Sequence, residues 1–166
     1  LKNDLEQILE QKFAVFDYDV FKQSLQSAKS ILYLGDNAGE SVFDRLLIGE
    51  LQKPVYYVVR DKPTINDVTF DDAIASGLDK VATIISSGSS VPGTILSACS
   101  AEFKRKFQQA DLIISKGQGN YEGLSNTAGK IFFMLRAKCP VIANTLGVKK
   151  DDIILKKQNH LSNSKN

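Results

Sequence analysis

Two carboxylates, several amides and one lysine are the residues of this chain whose types and spacing suit chemistry. Asp36 and Asn37 lie in the run Gly35–Glu40, GDNAGE, directly after the apolar stretch Ile31–Leu34. Arg60, Asn66 and Asp67 follow a second such stretch, Val55–Val59. Lys116 ends another, Asp111–Ser115, and leads into Gly117, Gln118, Gly119 and Asn120. Asp and Asn supply hard oxygen donors, which suit Mg²⁺ or Mn²⁺. A lysine at the end of a buried strand, before a glycine turn, is a point charge for phosphate. A divalent cation beside an anion site is the equipment of phosphate chemistry. Each residue taken singly also has a structural use. Asp36 would cap a helix, Asn37 would occupy a left-handed turn, and Asn66-Asp67 would start a turn.

The elements that must position these residues follow from hydrophobic spacing. Leu5, Ile8, Leu9 and Phe13 predict one face of a first helix, and Val20, Phe21, Leu25 and Ala28 a second, with Asp17 or Asp19 near its start. Ile31–Leu34 predicts a buried strand. Val42, Phe43, Leu46, Leu47 and Leu51 then predict a helix from about Glu40 to Leu51. Val55–Val59, β-branched and aromatic, predicts a second strand and Val81–Ile85 a third. Between them a short helix starts near Asp71 and stops at Gly77. Ser86–Thr94 is a loop rich in hydroxyls and glycine, and Phe103, Phe107 and Ala110 mark the next helix. Asp111–Ser115 and Ile131–Leu135 read as strands four and five, with Lys116–Glu122 as a loop between. Pro140–Leu146 reads as a short helix or loop closed by Gly147, and Lys156–Asn166 as a polar, frayed tail. This alternation predicts a parallel sheet covered on both faces, joined by right-handed crossovers. The polar residues after each strand would then gather on one sheet edge, where such folds bind ligands.

Bulk composition narrows the classes. The 166 residues suit one domain, and 43% hydrophobic with 24% charged residues is ordinary for a globular chain. A formal charge of +2 gives no reason to expect nucleic acid or a membrane surface as partner, and Lys104–Lys106 reads as a solvated face. No apolar run has the length of a membrane span, and the first residues do not form a signal peptide, so a cytoplasmic setting is expected. Cys99 and Cys139 are isolated thiols without metal-ligand spacing. The single histidine, His160, lies in the tail, which disfavours a histidine triad or a His-rich zinc site. No GK[ST] follows the glycines of GQGN, and no GxGxxG follows the first strand, which disfavours a nucleotide-binding loop.

Four runs carry a family resemblance: GDNAGE at Gly35–Glu40, RDKPTINDVT at Arg60–Thr69, SKGQGNYEGL at Ser115–Leu124 and LRAKCPVIA at Leu135–Ala143. Together, and in this order, they resemble the damage-control phosphatases, metal-dependent phosphatases formerly catalogued as a domain of unknown function. Relatives include animal proteins once proposed to methylate carboxylates and domains fused to some pantothenate kinases. The resemblance spans about Asp17 to Leu155. It implies a three-layer α/β/α sandwich with a mostly parallel Rossmann-like sheet. It implies a divalent metal, Mn²⁺, Mg²⁺, Co²⁺ or Ni²⁺, on Asp36, Asn37 and Asp67, the three residues expected to carry catalysis. Glu40 would touch the substrate, and Lys116 and Asn120 would bind its phosphate. A basic residue from Arg136–Lys138, taken as Lys138, would assist, and Arg60 and Asn66 join the expected binding set from their place after the second strand. The expected partner is a small phosphorylated metabolite, a sugar phosphate or a damaged phospho-cofactor. The residues leave an aspartyl-phosphate route and attack by activated water both open. The family's longer helical region ahead of the sheet is expected to be missing here. The rival classes are a metabolite-binding module without turnover, a carboxyl methyltransferase and a generic nucleotide-binding domain.

Overall fold

In the computed structural model, residues 11–159 are described. In chain order they form β1 (Phe13–Phe16), α1 (Tyr18–Ser27), β2 (Ile31–Leu34), α2 (Ser41–Leu51), β3 (Val55–Val59) and α3 (Phe70–Ala75). Then follow β4 (Thr83–Ser86), α4 (Ala101–Gln109), β5 (Leu112–Lys116), α5 (Gln118–Leu124), β6 (Ile131–Arg136), α6 (Pro140–Leu146) and β7 (Ile153–Lys157). The seven strands make one sheet in the order β1-β7-β6-β5-β2-β3-β4. The ladder from β6 through β5, β2 and β3 to β4 is parallel; β7 runs antiparallel to β6, and β1 pairs parallel with β7.

Side chains alternate between the faces of this sheet, and both faces are covered. Ile31, Tyr33, Tyr57, Ile114 and Phe132 pack with Phe21 of α1, Ile48 and Leu51 of α2 and Ala73 of α3. Leu32, Leu34, Val58, Ile113 and Phe133 pack with Phe103 and Phe107 of α4, Leu124 of α5 and Ile142 of α6. The result is the expected three-layer α/β/α sandwich. Strands buried on both sides read as continuous apolar runs, which is why β2 and β3 have the bounds their sequences suggest.

Local chemistry sets the helix ends. Thr69 caps α3 in a reciprocal box with Asp72, so the helix starts at Phe70, one residue before the expected Asp71. Ser100 caps α4 by accepting from the Phe103 amide. Pro140 opens α6 and Gly147, in the left-handed region, ends it. Asp17 precedes α1 but does not cap it; its Oδ2 accepts from the Lys157 amide at 2.7 Å and ties the helix start to β7.

Four expectations are corrected. Phe13 lies in β1, not in a helix, while Leu5, Ile8, Leu9 and His160 fall outside the described residues. Lys156 and Lys157 belong to β7, so the tail starts later than its composition suggests. Asp151 and Asp152 bond the Ala137 segment and lead into that strand. Gln118–Leu124 is helical despite two glycines, because Tyr121 and Leu124 are buried there. On α2, the residues that face the sheet are Ser41, Asp44, Ile48 and Leu51, whereas Val42, Phe43 and Leu46 are exposed. Among the described residues no helix is long and apolar enough to cross a membrane.

Candidate active site

The strand order reverses between β2 and β5: β3 and β4 lie to one side, β6 to the other. A crevice opens at such a switch point, beyond the carboxyl ends of the two strands. Asp36 and Asn37 leave β2 there, and Lys116 ends β5. The β3 loop folds back to meet them. The Ala38 amide donates to the Asn66 carbonyl (2.9 Å) and the Val68 amide to the Asp36 carbonyl (2.8 Å), making an antiparallel bridge of Asn37 with Asp67. The Arg60 amide donates to the Val68 carbonyl at 2.9 Å and closes the loop at its base. Backbone pairing therefore holds Asp36, Asn37 and Asp67 side by side.

Their side chains are not used as caps. Asn37 has φ −82°, outside the left-handed region, and makes no capping bond. Its Nδ2 donates to Asp36 Oδ2 (3.0 Å) and Glu40 Oε1 (3.1 Å). Asp67 Oδ2 accepts from Arg60 Nε at 2.7 Å. Burial, reinforced by the charges of Glu40 and Asp67, pushes the Asp36 carboxyl up to about 6 against the opposing pull of Lys138 and Lys116. Burial also disfavours ionised Glu40, but Lys116 and the Asn37 hydrogen bond outweigh it and hold that carboxyl below its usual range.

Lys116 is the cation of the crevice. Its Nζ donates to Asp44 Oδ1 (2.8 Å) and Glu40 Oε2 (3.2 Å). Burial would lower its basicity, yet the two carboxylates prevail and raise it. Asp44 was invisible in the sequence as a site residue. It is 1% exposed and also accepts from Tyr33 Oη (2.6 Å) and Tyr57 Oη (2.9 Å). The legible signal would have been an acidic residue one turn after Glu40, on the buried face of α2. Burial, then the charge of Asp44, raises both tyrosine hydroxyls well above their usual range, so both act as donors.

Two residues expected on the phosphate lie beneath the crevice instead. Asn120 is fully buried, and its amide is spent on protein. Oδ1 accepts from Arg60 Nη2 (2.9 Å) and Thr94 Oγ1 (2.7 Å), while Nδ2 donates to the carbonyls of Gly35 (3.0 Å) and Lys116 (2.8 Å). Arg60, 4% exposed, spans Asp67 and Asn120. Both therefore position neighbours. Asn66 enters the bridge through its backbone, with its side chain exposed. Lys138 is exposed on the crevice wall. The hydroxyls of Ser86, Ser87 and Ser89 make bonds within their own loop or with Asp61. A cavity of about 570 Å³ opens from the crevice; Asp36, Glu40, Lys116 and Lys138 line it together with Phe13, Met134 and Leu155, whereas Asn37 and Asp67 do not.

The donor set fits a hard divalent cation. Among the described residues no three His, Cys, Asp or Glu side chains form a metal cluster, and the oxygen donors at hand are Asp36, Asp67 and the Asn37 amide. Among the described residues, Oδ1 of Asp36, Asn37 and Asp67 has no protein donor. A cation would relieve the crowding of Asp36 by Glu40 and Asp67. Gly117 makes room for that carboxylate: it has φ +79°, and a Cβ there would overlap the Asp36 side chain.

Known proteins resemble this chain in sequence and fold. Over 140 residues the chain is 44% identical to an uncharacterised protein of Methanocaldococcus jannaschii, covering 80% of this chain and 46% of that one. It is 38% identical over 159 residues to a damage-control phosphatase of Pyrococcus horikoshii, covering 93% and 55% of the two chains. A damage-control phosphatase of Archaeoglobus fulgidus is 38% identical over 135 residues, covering 78% and 47%. The crystal structure of a DUF89 family protein from Pyrococcus horikoshii superposes with a TM-score of 0.90 at 37% identity, over 95% of this chain and 57% of that one. The chain thus spans about half the length of the relatives it matches. The damage-control phosphatase ARMT1-like domain matches residues 1–154, and this chain belongs to that family.

Proposed function

We propose that this chain carries the active site of a metal-dependent phosphatase that hydrolyses small phosphorylated metabolites. The observation that carries the reading is the backbone bridge of Asn37 with Asp67, which gathers three oxygen donors beside Lys116 at the strand switch point. Names of two relatives, damage-control phosphatases, support the same class. Asp36, Asn37 and Asp67 would hold Mg²⁺, Mn²⁺, Co²⁺ or Ni²⁺, whose contribution is to polarise a phosphoryl oxygen and offset charge in the transition state. Lys116, held at Asp44, meets the phosphate as a point charge, and Lys138 on the wall adds a second. Glu40 orients Lys116 and Asn37 and borders the substrate. Arg60 holds Asp67, and Asn120 holds Arg60, so neither need touch the ligand. The apolar wall of Phe13, Met134 and Leu155 accommodates the organic part. Sugar phosphates and damaged phospho-cofactors both fit this description.

Phosphate release from a panel of sugar phosphates and phosphorylated cofactors, run with each metal on the wild-type chain and on Asp36→Ala, tests the reading. Metal-dependent release that disappears in the variant is expected. Release that survives Asp36→Ala, or that needs no metal, would overturn it.

A further inference from the structure

Asp44 is a buried carboxylate that touches no ligand in the reading above. Its surroundings are unusually ordered. Tyr33 and Tyr57 are register partners on adjacent strands, with stacked rings 5.4 Å apart. Their hydroxyls reach opposite oxygens of Asp44, at 2.6 and 2.9 Å. Gly35 leaves space for this: a Cβ there would stand 2.6 Å from the Tyr57 hydroxyl. The carboxylate thus has a fixed orientation, set by two rigid side chains of the central sheet. Lys116 Nζ docks on the oxygen that Tyr33 also reaches.

An ammonium has three N–H donors. Asp44 and Glu40 take two of them, which leaves one. A buried ion pair adds little net stability over apolar residues of equal volume, but it does fix geometry. Held this way, Lys116 stays off Asp36 and keeps one donor for a ligand in the crevice. We propose that Asp44, locked by Tyr33 and Tyr57, is the positioning residue that fixes Lys116 over the crevice with one N–H free for an anion. The anion's being a phosphate rests on the function proposed above; the anchoring does not.

Two measurements separate these parts. The first is competitive acetylation of Lys116 by acetic anhydride, read by mass spectrometry on the full chain. Asp44→Asn should raise its rate about tenfold, because the amine loses the neighbouring charge that favours its protonated form. The other lysines should keep wild-type rates. The Tyr33→Phe/Tyr57→Phe double variant, which leaves the carboxylate but frees it, should move the rate in the same direction by less. It serves in place of Asp44→Asn if that variant does not fold. An unchanged Lys116 rate overturns the anchoring.

The second measurement is inorganic phosphate binding to the Mn²⁺-loaded chain. Asp44→Asn and Lys116→Met should each weaken it by about tenfold or more, and the double variant no further than Lys116→Met, because one residue acts through the other. Additive losses would overturn the positioning role. If Lys116→Met binds phosphate like the wild type, the phosphatase reading loses its lysine, and acetylation alone decides the anchoring.

Discussion

Two buried polar clusters flank the same crevice from opposite faces of the sheet, and they are built differently. On the face of α4 and α5, Arg60, Thr94 and Asn120 form a closed set. Each hydrogen-bonding group of Asn120 is taken by protein, and the Arg60 side chain is 3% exposed. On the face of α1 and α2, Lys116 joins Asp44 and Glu40, with Tyr33 and Tyr57 behind. Here the lysine side chain is 17% exposed, that of Glu40 is 42% exposed, and one N–H has no partner among the described residues. The closed cluster can only hold its neighbours. The open one holds its neighbours and still offers a donor to a ligand. Arginine suits the first task, with its rigid fork of donors, and lysine the second, as a compact charge.

The largest effect that tests this contrast is expected at Arg60. Arg60→Met strands a nearly buried Asp67 carboxylate and an Asn120 carbonyl oxygen. Removing one partner of such a pair costs roughly 3–5 kcal/mol. Urea denaturation should show that loss, and calorimetry should show weakened Mn²⁺ binding, because Asp67 loses its orientation. Arg60→Lys should rescue little, since an ammonium cannot reach Asp67, Thr94 and Asn120 together. A variant within about 1 kcal/mol of wild type would mean that the closed cluster is dispensable.

Gly117 lies between the open cluster and Asp36, because Lys116 precedes it and the Asp36 carboxylate fills the space beside it. Gly117→Ala should cost about 2 kcal/mol for the positive φ alone. The added methyl would also displace the Asp36 carboxylate. Mn²⁺ affinity should therefore collapse by far more than the stability loss explains. Metal binding at wild-type strength would place the cation elsewhere than on Asp36.

The same contrast decides what could be read from the sequence. β2 and β3 were legible because each is a run buried on both faces. Asp36, Asn37, Asp67 and Lys116 were legible as a set because the polar residues come directly after such strands. β1 and β7 were not. Phe13–Phe16 is mostly exposed, and Ile153–Lys157 ends in two lysines, so neither has a core strand's composition; pairing with distant segments makes them strands. α2 misled for the opposite reason. Its apolar Val42, Phe43 and Leu46 face outward, while polar Ser41 and Asp44 face in. Helical period alone does not say which stripe is buried when a buried carboxylate is satisfied by tyrosines on the two strands that flank the helix in sequence. Asn120 and Arg60 were found as residues but given a contact with ligand. Side-chain direction, which the sequence does not carry, puts them under the crevice.

The smallest effect expected is a gain of stability from damaging the site. Asp36 accepts a single hydrogen bond, sits among like charges, and has a carboxyl at about 6 against a reference of 3.8. A raised carboxyl means that the folded, metal-free chain binds a proton more tightly than the unfolded chain does. Between pH 4 and 6 the folded state therefore holds more protons, and stability falls as pH rises through that window. The full shift of about two units corresponds to roughly 3 kcal/mol; solvent contact at a part-exposed group reduces this to about 1 kcal/mol. Asp36→Asn, which carries no charge, should recover that amount at pH 7 in the metal-free protein and flatten the pH dependence. In saturating Mn²⁺ the order should reverse, because the wild type gains binding energy that the variant lacks. Thermal unfolding of both chains at pH 5 and pH 7, with and without Mn²⁺, gives the comparison. If Asp36→Asn is less stable without metal at pH 7, then Asp36 is a structural carboxylate like Asp44, and the open crevice is not built around it.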